Sequence, residues 1–132
     1  MILDADQPIR LDRLAYAVTH FVELQYIRLP AEGSFFDAEW DEPRDDAVAD
    51  FRSYLDHDED DNVREVQRAL CWVLNLPPAR FAEVSRDLHI PYPRFEPVEV
   101  RRFLELLWAR SFDGDWHVDD FDADAYTVTT RA

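Results

Sequence analysis

The stretch Asn62–Leu76, NVREVQRALCWVLNL, constrains the fold most. Val63, Val66, Leu70, Val73 and Leu74 recur at helical spacing and form one apolar stripe of a 3.6-residue helix. Arg64, Glu65, Gln67 and Arg68 take the other side of its first half. Trp72 and Leu76 widen the stripe, so the second half is expected to be buried nearly all round. Asn62 with Glu65 three residues on has the form of a capping box at the start. Pro77-Pro78 marks the end, because proline cannot continue a helix. Just before this helix lies Asp56-His57-Asp58-Glu59-Asp60-Asp61. Acids there suit the positive end of the helix dipole, at roughly 0.3–1 kcal/mol each. Five acids in six residues exceed what a cap uses.

Four further helices are expected around it. The first runs from about Pro8 to Tyr26, with Asp6 as its cap and Leu11, Leu14, Ala15, Val18, Phe21 and Val22 along one face. His20 lies off that stripe and reads as a surface or interface histidine. Arg28–Asp41 reads as a loop broken by Pro30, Gly33 and Ser34. Within it Phe35, Phe36 and Trp40 are interleaved with Asp37, Glu39 and Asp41. The aromatics either plug the core while the acids face water, or stand out as a recognition surface. A second helix follows Glu42-Pro43, with Asp45 and Asp46 in its first turn and Val48, Phe51 and Leu55 inside. Shorter and longer helices are expected over Ala79–Leu88 and from Pro97, the last on the stripe Val100, Phe103, Leu104, Leu107, Trp108. The segment His89–Pro93 separates them, since proline holds its predecessor extended. Beyond Phe112, Asp113-Gly114 signals a turn. Trp116 and Val118, then Tyr126 and Val128, alternate with polar neighbours around Asp119–Asp124. A small C-terminal β-hairpin and an acidic tail draped on the helices both fit. The expected architecture is mainly α: a compact bundle of about five helices over 1–112, with 113–132 as hairpin or tail of the same domain.

Charge narrows the function. Fourteen arginines face 29 acids, giving −15, and the chain has no lysine. Residues 35–61 hold twelve acids and two arginines, and residues 113–132 hold six acids and one arginine. Adaptation to high salt would spread the acid evenly, so two blocks favour a patch. Such a chain repels nucleic acid and anionic membranes and attracts basic proteins. No apolar run reaches the ~18 residues of a membrane span, and MILDADQPIR lacks the basic-then-apolar form of a secretion signal. The single cysteine, Cys71, reads as a small buried hydrophobe. Together these lead us to expect a cytoplasmic protein.

Enzymatic chemistry is not expected. With only Gly33 and Gly114, phosphate-cradling turns are hard to build, and no Gly-x-Ser-x-Gly or Cys–His signature is present. Asp120, Asp122 and Asp124 alternate like a calcium loop, but Ala125 and Arg131 stand where its glycine and terminal glutamate belong. Asp56, His57 and Asp58, or His117 and Asp119, offer two-point ligands without a third at a recognisable spacing. No cofactor or metal is therefore expected.

The order of segments nevertheless resembles one family. A helix leads into Phe35-Phe36-Asp37-Ala38-Glu39-Trp40-Asp41, then Asp46-Ala47-Val48-Ala49-Asp50-Phe51, the Val63/Val66/Leu70/Leu74 stripe and a late Phe103-Leu104-x-x-Leu107-Trp108 helix. This resembles the immunity proteins of bacterial contact-dependent growth inhibition systems, over roughly residues 10–110. The resemblance implies a monomer that neutralises the C-terminal toxin domain of a secreted effector, often a nuclease, in a one-to-one complex. The partner-binding residues expected on charge and resemblance are Asp37, Glu39, Trp40, Asp41, Glu42, Asp45, Asp46, Asp58, Glu59, Asp60 and Asp61. Two other readings stand beside it: a nucleic-acid-mimicking inhibitor of another basic protein, and a helical adaptor with no toxin partner.

Overall fold

The structure, a computed structural model, describes residues 2–25, 36–87 and 96–130, and within these the side chains of 19–25 and 87 are not described. The expectations for His20, Phe21, Val22, residues 26–35, Leu88 and the proline-rich segment 89–95 lie outside the described residues.

Five α-helices are described: α1 (Leu11–Gln25), α2 (Asp41–Asp56), α3 (Asp60–Leu74), α4 (Pro78–Asp87) and α5 (Pro97–Ser111). The fold is mainly α, as the periodicity predicts. Two short strands, β1 (Ile9–Arg10) and β2 (Val128–Thr129), pair in parallel with Ile9 opposite Val128. The C-terminal segment is thus not a hairpin. It drapes over the helices and pairs with the other end of the chain.

α3 has the central place its stripe demands. Val66, Ala69, Leu70, Cys71, Trp72, Val73 and Leu74 are all buried. α1 and α5 each pack against both α2 and α3, and β1 also lies on α3. Val100, Phe103, Leu104, Leu107 and Trp108 of α5 are buried, the stripe expected for it.

Helix starts differ from expectation at α2, which begins at Asp41 ahead of Pro43, and at α1 and α3. α1 begins at Leu11, not Pro8, because Ile9 and Arg10 are extended to meet β2, and the Ile9 amide donates to the Thr127 carbonyl at 2.8 Å. α3 begins at Asp60, with Glu59 in the cap position. Asn62 is therefore inside the helix, and its amide donates to Asp58 Oδ1 at 3.0 Å instead of capping.

Arg68, expected on the polar side of α3, is only 2% exposed. Its guanidinium donates to the carbonyls of Ile2 (2.7 Å), Asp4 (3.1 Å) and Gln7 (2.9 Å) and fastens the N-terminal segment to α3. Arg101 of α5 acts likewise at the other end of α3, donating to the Leu74 carbonyl that the helix leaves open and to the Leu76 carbonyl just beyond it. Three side chains at the end of α3 hold the draped C-terminal segment. The Cys71 thiol and the Asn75 amide donate to the Trp116 carbonyl (3.3 and 2.7 Å), and Asn75 Oδ1 accepts from the Val118 amide at 2.8 Å. Trp72 Nε1 reaches the Ala123 carbonyl at 3.4 Å. The turn at Gly114, where φ is +84°, is one that glycine adopts without steric cost, and Trp108 Nε1 donates to its carbonyl at 3.0 Å.

Candidate functional site

The acids expected to form one patch occupy the two ends of α2. Asp37, Glu39, Asp41, Glu42, Asp45 and Asp46 lie in its approach and first turns, and Asp58, Glu59, Asp60 and Asp61 lie in the turn beyond its far end and the start of α3. The inner face of α2 is Pro43, Ala47, Val48, Phe51 and Leu55, all buried. At 100° per residue, Glu42, Asp45, Asp46 and Asp56 fall on the opposite side. From Asp45 to Asp56 the rise is about 17 Å at 1.5 Å per residue. That exceeds the ~8 Å screening length at physiological salt. The acids therefore form a ridge with two separately acting ends, not one patch. Of the expected residues, Glu39, Asp41, Glu42, Asp45, Glu59, Asp60 and Asp61 are exposed, and Asp37, Asp46 and Asp58 are half-buried. Asp41 is engaged by Arg44 at 2.7 Å.

Trp40 is not an exposed anchor. It is 1% exposed and belongs to the core. The reason is local: a 3-10 turn over Ala38–Trp40 runs directly into α2, with the Trp40 amide donating to the Asp37 carbonyl at 2.9 Å. Trp40 thereby extends the buried stripe Pro43, Ala47, Phe51 backwards at spacings of three, four and four. That spacing is the signal that places it inside. Phe36 is committed as well, with the Arg102 guanidinium 4.0 Å and that of Arg44 5.1 Å from its ring centre. Of the two readings of the aromatic–acid segment, core-filling aromatics with outward acids describes Phe36 and Trp40.

A cleft of about 520 Å³ opens beside the acidic turn, between β1, α1, the end of α2 and the start of α3. Sequence reasoning missed it. Its walls include Tyr16 and Tyr54, whose rings lie 6.1 Å apart at 53°. The only available signal is that Tyr16 sits off the apolar stripe of α1, and it is 61% exposed. Asp58 lies at the rim and accepts from the Glu59 amide (2.8 Å), from Asn62 (3.0 Å) and from the Tyr54 hydroxyl. These donors, Asn62 foremost, hold its carboxyl below the usual carboxylate range, and burial with the bond to Asp58 pushes the Tyr54 phenol up. The two cations of the cleft each lie against an acid, Arg10 in a bidentate bond and Arg13 in an ion pair that makes no hydrogen bond. Arg10 donates to both oxygens of Asp12 (3.0 and 2.8 Å), which lowers the Asp12 pKa, and Arg13 Nε lies 3.3 Å from Glu65.

His57 closes the end of α2, its Nδ1 hydrogen-bonding the Ser53 carbonyl at 2.8 Å, and His117 pairs with Asp119 at 3.2 Å. Among the described residues no three His, Cys, Asp or Glu side chains converge as a metal site would require. Burial pushes the Cys71 thiol up to about 11, so at neutral pH it is a protonated core side chain. Among the described residues no helix is long and apolar enough to cross a membrane. In comparisons with known proteins, no family model, no curated protein and no solved structure matches the chain.

Proposed function

We propose that the protein acts by binding a basic protein partner through the acidic ridge of α2 and the 56–61 turn, without catalysing a reaction. The observation that carries this reading is the outward placement of Glu39, Glu42, Asp45, Asp56, Glu59, Asp60 and Asp61 on rigid helical elements. Acids scattered over unrelated faces would serve solubility alone. Acids ranged along one helix and its following turn create a field that steers a cationic surface and raises its association rate. The same field disfavours nucleic acid as the partner.

The resemblance to immunity proteins of contact-dependent growth inhibition systems supplies the particular partner: the toxin domain of an effector, neutralised in the cytoplasm in a one-to-one complex. Charge supports the first part of this reading, and the resemblance alone supports the second. Co-expression with the C-terminal domain encoded by the adjoining upstream gene tests the second. Restored growth and a one-to-one complex on size exclusion are expected. Undiminished toxicity with no complex contradicts it and leaves the inhibitor of another basic protein as the better reading.

A further inference from the structure

The sealed position of Trp40 leaves the acidic ridge without the aromatic anchor that interface hot spots usually contain. The cleft beside the 56–61 turn supplies another. Tyr16 is one of two large apolar side chains exposed among the described residues, and its ring packs at a tilt against that of Tyr54 in the wall of the cleft. The cleft is therefore both aromatic and adjacent to Asp56, Glu59, Asp60 and Asp61, all exposed.

Resting on the reading of a basic protein partner, we infer that the Tyr16–Tyr54 cleft receives an arginine side chain of that partner, its guanidinium stacked on Tyr16 and donating to Asp58. One feature favours guanidinium over ammonium, and two others admit a cation of either kind. A flat cation stacks on a phenol ring, which a lysine does less well. An ionised carboxylate offers about four acceptor positions, and the three donors on Asp58 leave one open. Asp12 neutralises Arg10, and Arg13 lies against Glu65 at 3.3 Å while its charge also acts on Asp58, so an entering cation is drawn by Asp58 and the exposed acids of the turn against Arg13 alone. Tyr54 and Asn62 hold Asp58 in place, so the acceptor is preorganised.

A nine-residue polyarginine peptide and a nine-residue polylysine peptide, each fluorescently labelled, provide the probes. Binding is read by anisotropy at 50 and 150 mM salt against the native chain, Tyr16→Ala and Tyr16→Phe, with helix content checked by circular dichroism. The native chain is expected to prefer the arginine peptide roughly three- to fivefold. Tyr16→Ala should abolish that preference while leaving the lysine peptide within about 1.5-fold, and Tyr16→Phe should keep it. Equal affinities in the native chain, or a preference that survives Tyr16→Ala, overturn the inference while leaving the acidic ridge as a binding surface. Failure of both peptides to bind contradicts the ridge reading itself, and the inference falls with it.

Discussion

Arg68 shows how one side chain can decide where a chain end goes. A buried guanidinium that donates to three backbone carbonyls is held by those bonds. Arg68→Met keeps the apolar stem and removes all the donors. The Asp4 carbonyl keeps the Gln7 amide at 3.1 Å, and the Ile2 and Gln7 carbonyls, left unmatched, cost on the order of 1 kcal/mol each, so unfolding in urea should show a loss of about 2 kcal/mol. Amide exchange at Ile9 should accelerate, because the segment 2–7 leads into β1. A loss under 1 kcal/mol would mean that Arg68 is a passenger. Asp12 gives a second test at this scale, through pH. Its carboxyl is held below its ordinary value of 3.8, first by the hydrogen bond from Arg10. The unfolded chain therefore takes up this proton first as pH falls. The stabilisation is complete above about pH 4 and fades as pH drops through the depressed native value. The stability difference between the native chain and Asp12→Asn should be present in full at pH 7 and should narrow as pH falls below about 4. A difference that grows on acidification would reverse the assigned direction.

At the scale of elements, α3 organises the molecule through two kinds of contact. Its apolar face builds the core, and its last turn ties down the C-terminal segment through Cys71, Trp72 and Asn75. Asn75→Ala removes two bonds to that segment and one to the Cys71 carbonyl. We expect a loss of about 2 kcal/mol and faster amide exchange at Val118, with α1 and α5 unaffected. Uniform loss of protection across all helices would instead make the segment part of the global folding unit. The helices themselves were legible in the sequence, because an apolar stripe at 3.6-residue spacing has few other structural solutions. The stripes of α3 and α5 are found where the spacing places them. What was not legible depends on distant partners. The start of α1 is set by pairing with residues more than a hundred positions away, and no local signal encodes a two-residue parallel bridge. The burial of Arg68 likewise depends on carbonyls some sixty residues earlier. Trp40 is different, since its place on the α2 stripe could be read once the helix was extended backwards through Ala38–Trp40.

Over the whole molecule, a net charge of −15 on 132 residues has two opposed effects. It destabilises the compact state through self-repulsion, and it draws in cationic partners over distances of the screening length. The candidate site was half legible for the same reason. The list of acids is a property of the sequence, but their division between two ends of a helix about 24 Å long is a property of the fold. The Tyr16–Tyr54 cleft arises only where α1, α2 and α3 meet, so no linear motif announces it. The central claim is that the ridge captures a positively charged protein by electrostatic steering. Stopped-flow association with the proposed partner, the C-terminal domain encoded by the adjoining upstream gene, from 50 to 300 mM salt, tests it most directly, comparing the native chain with the combined variant Asp58→Asn, Glu59→Gln, Asp60→Asn, Asp61→Asn. The account predicts a native association rate that falls steeply with salt and a roughly tenfold slower rate in the variant at 50 mM, the two converging at high salt. Association rates that are equal at every salt concentration would contradict it.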